Sequence, residues 1–155
     1  MGKTRSFYTG EYVVVNKNKY IGSKNPTYRS SWEARFCYHA DMNPNILKWG
    51  YESLEITYLS PIDNKVHRYF PDFYMELIDK NKQLQKYIVE VKPLNQTKKP
   101  ATPKNRNQKA QRRYLSEVST YVTNISKWQS AEKYCQKRGF IFKIITENDL
   151  FFNGD

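Results

Sequence analysis

The run Tyr87-Ile88-Val89-Glu90-Val91, stopped by Pro93, does most to limit how this chain can fold. Aromatic and β-branched residues in succession favour a strand, and Pro93 cannot continue a ladder. Glu90 lies between two valines, and Lys92, two residues on, falls on the same face of the strand. A carboxylate in such a place is costly to bury unless a positive charge or a donor meets it.

Two more strands precede this one. Leu54, Ile56 and Tyr58 alternate with Glu55 and Thr57, the pattern of a half-buried strand, and Ser60-Pro61 with Asp63-Asn64 marks a turn. Val66 to Tyr74 reads as the returning strand, with Pro71 at an edge or bulge where its missing donor is tolerated. Asp79 to Gln83 is a second polar turn, so the three strands are expected to form an antiparallel meander. If the last two pair as a hairpin, Asp72 and Glu90 face each other across the ladder.

Helices are expected on either side of these strands. Ser30 and Glu33 have the spacing of a capping box, and Trp32, Phe36, Cys37, Ala40 and Met42 continue at helical period until Asn43-Pro44-Asn45. Beyond Pro93 a helix is expected from near Asn105, because Ala110, Tyr114, Val118, Tyr121 and Ile125 recur at spacings of four and three. Asn124 to Lys127 is a candidate break before Trp128, Ala131, Tyr134 and Cys135, and Gly139 is a natural C-cap. Phe140 to Ile145 reads as a final strand. Near the N-terminus Tyr12 to Val15 is a candidate strand, with Asn16 to Lys19 as a turn. The expected fold is α/β, a mixed β-sheet flanked by helices. At 155 residues it is expected to be one domain, with residues 1–28 as a basic extension packed on the core.

The formal charge of +11 points to a polyanionic partner, nucleic acid or an anionic surface. No apolar run approaches the roughly 20 residues needed to span a bilayer, and no apolar segment follows the basic start as in a signal peptide. Myristoylation at Gly2 is only weakly supported by its neighbours. The expectation is a soluble protein. Cys37 and Cys135 both fall in helical patterns and are expected to be buried free thiols. With His39 and His67 they would be the donors of a zinc site, but the close Cys pairing usual in such sites is absent. His39 is expected to pack within its helix and His67 to lie exposed on a strand.

Two carboxylates that face each other repel unless a cation joins them. Lys92 supplies one positive charge, and a divalent ion such as Mg²⁺, with Mn²⁺ able to substitute, would supply two more to hard oxygen donors. The chemistry that unites paired carboxylates, a lysine and a polyanion is phosphodiester hydrolysis, in which charge on the scissile phosphate and activation of water are the main requirements. A surface to hold the polyanion follows at once: from Lys92 to Arg113 there are eight basic residues and no acidic one. Lys98, Lys99, Lys104, Arg106, Lys109, Arg112 and Arg113 are the candidate phosphate contacts. Arg29 adds a planar fork suited either to a phosphate or to Glu33. No helix-turn-helix or zinc finger stands out, so weakly specific or structure-directed cutting is expected.

Pro71-Asp72 followed by Glu90-Val91-Lys92 resembles the signature of the PD-(D/E)xK nuclease superfamily, the fold of many restriction enzymes and of TnsA-type transposition endonucleases. Members usually carry another glutamate on the first helix, and the resemblance puts Glu33 in that place. Asp72, Glu90 and Glu33 are then the implied metal ligands, and Glu33, Asp72, Glu90 and Lys92 the implied catalytic set. Capping remains the other reading of Glu33. The resemblance also places a glutamate at Glu52, either near the metal cluster or in a structural ion pair.

A closer similarity runs through Tyr28-Arg29-Ser30-Ser31-Trp32-Glu33, Lys48-Trp49-Gly50-Tyr51-Glu52, Tyr69-Phe70-Pro71-Asp72-Phe73, Lys127-Trp128, Ala131-Glu132, Gly139-Phe140 and Ile145-Thr146-Glu147. Together these segments are similar to the head completion nucleases of T4-like tailed phages. That resemblance implies a metal-dependent endonuclease acting on packaged double-stranded DNA in the host cytoplasm before neck and tail are attached. Phage head, portal or neck proteins are its implied partners, and it leaves open whether the protein stays in the virion at the head-tail junction. The alternative is a non-catalytic DNA-end-binding or neck-assembly protein on the same scaffold.

Overall fold

The computed structural model describes residues 9–152. The part of the basic N-terminal extension before residue 9 lies outside them. Its regular elements are strands β1 (Gly10–Glu11), β2 (Tyr20–Ile21) and β3 (Thr27–Tyr28), helix α1 (Ser31–Met42), then strands β4 (Ile46–Tyr51), β5 (Ile56–Leu59), β6 (Val66–Tyr69), β7 (Phe73–Ile78) and β8 (Leu84–Val91). Helix α2 (Gln108–Arg138), strand β9 (Ile141–Ile145) and helix α3 (Glu147–Phe152) complete the order.

A five-stranded mixed sheet, ordered β2-β4-β7-β8-β9, forms the centre. β4, β7 and β8 are antiparallel neighbours, while β2 and β9 lie parallel to β4 and β8 at the two edges. β7 and β8 form a hairpin about the expected Asp79–Gln83 turn, although β7 overlaps the expected Val66–Tyr74 strand only at Phe73 and Tyr74, and β9 joins the mixed sheet as the final strand. Two features differ from the expected meander. β5 and β6 pair with each other in a separate two-stranded sheet, and β4 occupies the position beside β7. The expected strand from Val66 to Tyr74 is divided around Pro71, which has no amide to give a ladder.

The central sheet is packed on both faces. On one, Phe36, Cys37 and Ala40 of α1 meet Trp49, Phe73, Met75, Val89 and Val91. On the other, Trp128, Ala131 and Cys135 of α2 meet Ile88 and the hairpin residues Ile56, Tyr58 and Tyr69. Both cysteines are free and buried, in separate clusters. Alternation along β8 therefore sends Val89 and Val91 toward α1, and Ile88 and Glu90 toward α2.

Helix α2 runs unbroken for 31 residues, about 46 Å at the usual rise. Asn124 does not interrupt it but lies buried at 7% exposure on its inner side. Asn107 caps its start by accepting from Ala110 N–H at 2.8 Å, and Gly139 closes its end at a φ of 70°. Residues 12–15 do not form a strand. Tyr12 N–H donates to Pro26 O at 2.9 Å, while two further amides turn to side chains: Val14 N–H donates to Asn25 Oδ1 at 3.1 Å and Val15 N–H to Asp41 Oδ2 at 2.8 Å. Asp41, fully buried near the end of α1, also accepts from the Tyr12 hydroxyl at 2.7 Å and Asn16 N–H at 3.0 Å. One carboxylate thus replaces a strand ladder in holding this segment to the core. Among the described residues no helix is long and apolar enough to cross a membrane.

Candidate active site

Asp72 stands immediately before β7, and the β7–β8 register pairs Phe73 with Val89. One step further out, Asp72 and Glu90 come opposite each other, as the sequence led us to expect. Asp72 N–H donates to Glu90 Oε1 at 3.2 Å, and Val91 N–H donates to Asp72 Oδ2 at 2.8 Å. Glu90 is only 5% exposed. Burial first, and then the charge of Glu90, push the Asp72 carboxyl well above the usual carboxylate range, against the amide of Val91. Burial also raises Glu90, while Lys92, Tyr69, the Asp72 amide and Lys127 pull it down. Two partly compensated carboxyl groups thus share one desolvated spot.

Lys92 follows β8 directly and its backbone amide is fixed to Ile145 O at 2.9 Å. Its charge acts on Asp72, Glu90 and Glu33 alike. The Tyr69 hydroxyl is buried beside Glu90; it interacts with the carboxylate without making a well-formed hydrogen bond.

Glu33 lies on the first turn of α1. Ser30 Oγ accepts Glu33 N–H at 3.1 Å, so the serine is the expected cap. Glu33 Oε2 reaches back to Arg29 N–H at 2.8 Å, one residue further than a standard capping box, and no hydrogen bond to Oε1 occurs among the described residues. Burial raises its pKa, opposed by Arg29, and Glu52 adds a repulsive charge. Glu52 has the left-handed φ of 47°, which non-glycine residues adopt at a cost, and its amide donates to Asp72 O at 2.9 Å. Among the described residues no three His, Cys, Asp or Glu side chains form a ready-made metal cage; Asp72 and Glu90 are in contact, and Glu33 reaches Asp72 through its charge alone.

The expected phosphate contacts surround the start of α2. Lys98, Lys99, Lys104, Arg106, Lys109, Arg112 and Arg113 are all exposed. Arg113 is paired to Glu117 at 3.1 Å. An open groove of about 400 Å³, lined by Pro103, Lys109, Arg113 and Tyr114 among others, lies here and shares no residue with the carboxylate pair. Arg29 is exposed beside Glu33. His67 is exposed as expected and bonded to Asp63 at 2.7 Å. His39, expected to pack within its helix, is exposed, with Nε2 3.5 Å from Asn43 Nδ2. Lys127, which the sequence placed in a candidate helix break and in the resembling segment Lys127-Trp128 without a role at the site, lies within the unbroken α2, and its charge reaches Glu90.

The family model described as TnsA-like endonuclease N terminal matches residues 43–147. That span contains Asp72, Glu90 and Lys92 but not Arg29 or Glu33. The head completion nuclease of Enterobacteria phage T4 is 38% identical over 144 residues, covering 92% of this chain and 93% of that protein. No solved structure matches the chain.

Proposed function

This chain belongs to the TnsA-like endonuclease family, of PD-(D/E)xK type, and from that premise we propose that it is a divalent-metal-dependent DNA endonuclease centred on Asp72, Glu90 and Lys92. The observation that carries the reading is the contact of Asp72 with the buried Glu90, with Lys92 directly after the same strand. Both carboxyl groups are held above their ordinary range because burial, and for Asp72 the charge of its partner, oppose ionisation. A hard dication fits such a pair, since oxygen donors and uncompensated negative charge are what Mg²⁺ or Mn²⁺ selects. Asp72 and Glu90 would hold it, and Glu33 would join through the oxygen its cap leaves free. When bound, such an ion supplies positive charge to the scissile phosphate and to the attacking water.

The rest falls to the chain itself. Lys92 orients the water and offsets charge that grows on the phosphate in the transition state. The Val91 and Asp72 amides fix the two carboxylates so that little reorganisation accompanies the reaction. Lys98, Lys99, Lys104, Arg106, Lys109, Arg112 and Arg113 hold backbone phosphates of the duplex, with Arg29 near the first helix. These contacts carry no sequence information, which suits cutting directed by DNA structure.

The similarity to the phage T4 head completion nuclease supports a role in phage head assembly. On this reading the protein acts in the host cytoplasm on packaged DNA or its end before neck and tail are attached, with phage head, portal or neck proteins as neighbours. The test is incubation of purified protein with linear, nicked and supercoiled DNA, with Mg²⁺ or Mn²⁺ and with chelator. Cleavage that chelator stops supports the reading, whereas DNA binding without cleavage of any form would point to a structural DNA-end-binding protein.

A further inference from the structure

Lys127 occupies an unusual place for an ammonium group. It is half-buried on α2, with Nζ 5.7 Å from the Tyr58 ring centroid and 5.6 Å from that of Tyr69. Both rings belong to the β5–β6 hairpin. Among the described residues Lys127 makes no ion pair, although its charge reaches Glu90. Aromatic faces stabilise a cation, but they accept no conventional hydrogen bond, and an ammonium carries three donors. Those donors remain available to an anion that enters beside Glu90. Tyr69, one of the two rings, is 5% exposed, and its hydroxyl lacks a formed partner.

The helix leads to the same place. Arg113, Glu117, Thr120, Asn124 and Lys127 recur at spacings of four and three, so they share one face. That face starts at the exposed basic segment and ends against Tyr58 and Tyr69, about 21 Å away along the axis. A lysine kept only to neutralise Glu90 would be expected in direct contact with it. Lys127 instead lies over the two tyrosine rings and makes no ion pair with the carboxylate.

Resting on the endonuclease reading above, we propose that Lys127 is a second phosphate-positioning cation of this site, held over the Tyr58 and Tyr69 rings to engage the phosphate next to the one cut. Lys92 then serves the scissile phosphate and Lys127 its neighbour, which fixes the register of the strand against Asp72 and Glu90.

The test compares wild type with K127M and K127R in single-turnover cleavage of duplex DNA with Mg²⁺, over a range of NaCl concentrations. K127M keeps the apolar stem and is expected to retain its thermal midpoint while losing about 10–100-fold in kcat/KM. Its plot of log kcat/KM against log salt should flatten by about 0.9, the loss of one phosphate contact, and K127R should keep most of both. A methylphosphonate at the phosphate flanking the mapped cut should slow wild type and leave K127M unchanged. Wild-type rate and salt slope in K127M overturn the proposal. So does loss of folding in both K127M and K127Q, which would make Lys127 a structural counter-ion. If wild type cuts no DNA with Mg²⁺ or Mn²⁺, the endonuclease reading itself fails, whereas cutting by wild type and K127M at equal rates removes only the role of Lys127.

Discussion

The backbone amide of Asp72 donates to the side chain of Glu90 at 3.2 Å, which draws a half-buried and a buried carboxyl group together across the mouth of the β7–β8 hairpin. Folding alone does not favour this arrangement. Burial and mutual repulsion oppose ionisation of Asp72, so ionising both groups is unfavourable in the folded protein, and a bound cation would relieve it.

Removing one charge should therefore stabilise the metal-free protein. Asp72→Asn keeps an oxygen to accept Val91 N–H and is expected to raise stability in chelator at pH 8 by roughly 1–2 kcal/mol. The same change should lower cleavage on the order of 10²–10³-fold. Denaturant unfolding with chelator, set beside a cleavage assay, measures both. A destabilised Asp72→Asn would mean that the pair is already compensated within the protein.

Capping and chemistry can be separated on the first helix. Ser30→Ala removes the side chain that accepts Glu33 N–H and should cost about 1 kcal/mol with cleavage largely retained. Glu33→Gln can still accept from Arg29 N–H, so its stability should change little while cleavage falls at least about 10-fold. Full activity in Glu33→Gln would confine Glu33 to its cap.

Asp41 sets the acid limit of the N-terminal segment. Burial would raise its pKa, but hydrogen bonds from Val15 N–H, the Tyr12 hydroxyl and Asn16 hold it below the ordinary aspartate value. With the folded value depressed, the stabilisation is complete above the unfolded pKa of about 3.9 and is lost as pH falls through the folded one. At neutral pH Asp41→Ala is expected to cost roughly 1.5–3 kcal/mol. The gap between wild type and variant in urea unfolding should close as pH drops below 4. A gap that stayed constant with pH would show that the hydrogen bonds of the charged form are not the cause.

The basic segment should act through salt-sensitive contacts. Replacing Lys98, Lys99, Lys104 and Arg106 together by Ala is expected to weaken duplex binding uniformly across sequences. Each true phosphate contact should also lower the salt slope by about 0.9. Fluorescence anisotropy at several salt concentrations reads this directly, and an unchanged slope would make these residues ordinary solvated charge.

What the sequence revealed followed local chemistry. Glu90 between two valines and Asp72 after Pro71 marked the carboxylate pair, because charges inside apolar strands need a reason. The α1 cap, the Gly139 cap and the β7–β8 hairpin were legible for the same local reasons. β4 was not, because a register shift between Ile46 and Lys48 breaks the alternation that identifies a strand. Asn124 looked like a helix break because burial of a polar side chain cannot be read from spacing. Lys127 and Asp41 were missed because their importance lies in residues brought near by folding: Tyr58 and Tyr69 for one, Tyr12 and Val15 for the other.

The most direct measurement is parallel binding and cleavage of one duplex by wild type, Glu90→Ala and Lys92→Ala, with Mg²⁺ and with chelator. The expected result is that all three bind DNA, only wild type cuts efficiently, and chelator abolishes that cutting. Equal cleavage by either variant, or cleavage indifferent to chelator, would contradict a metal-dependent site built on Asp72, Glu90 and Lys92.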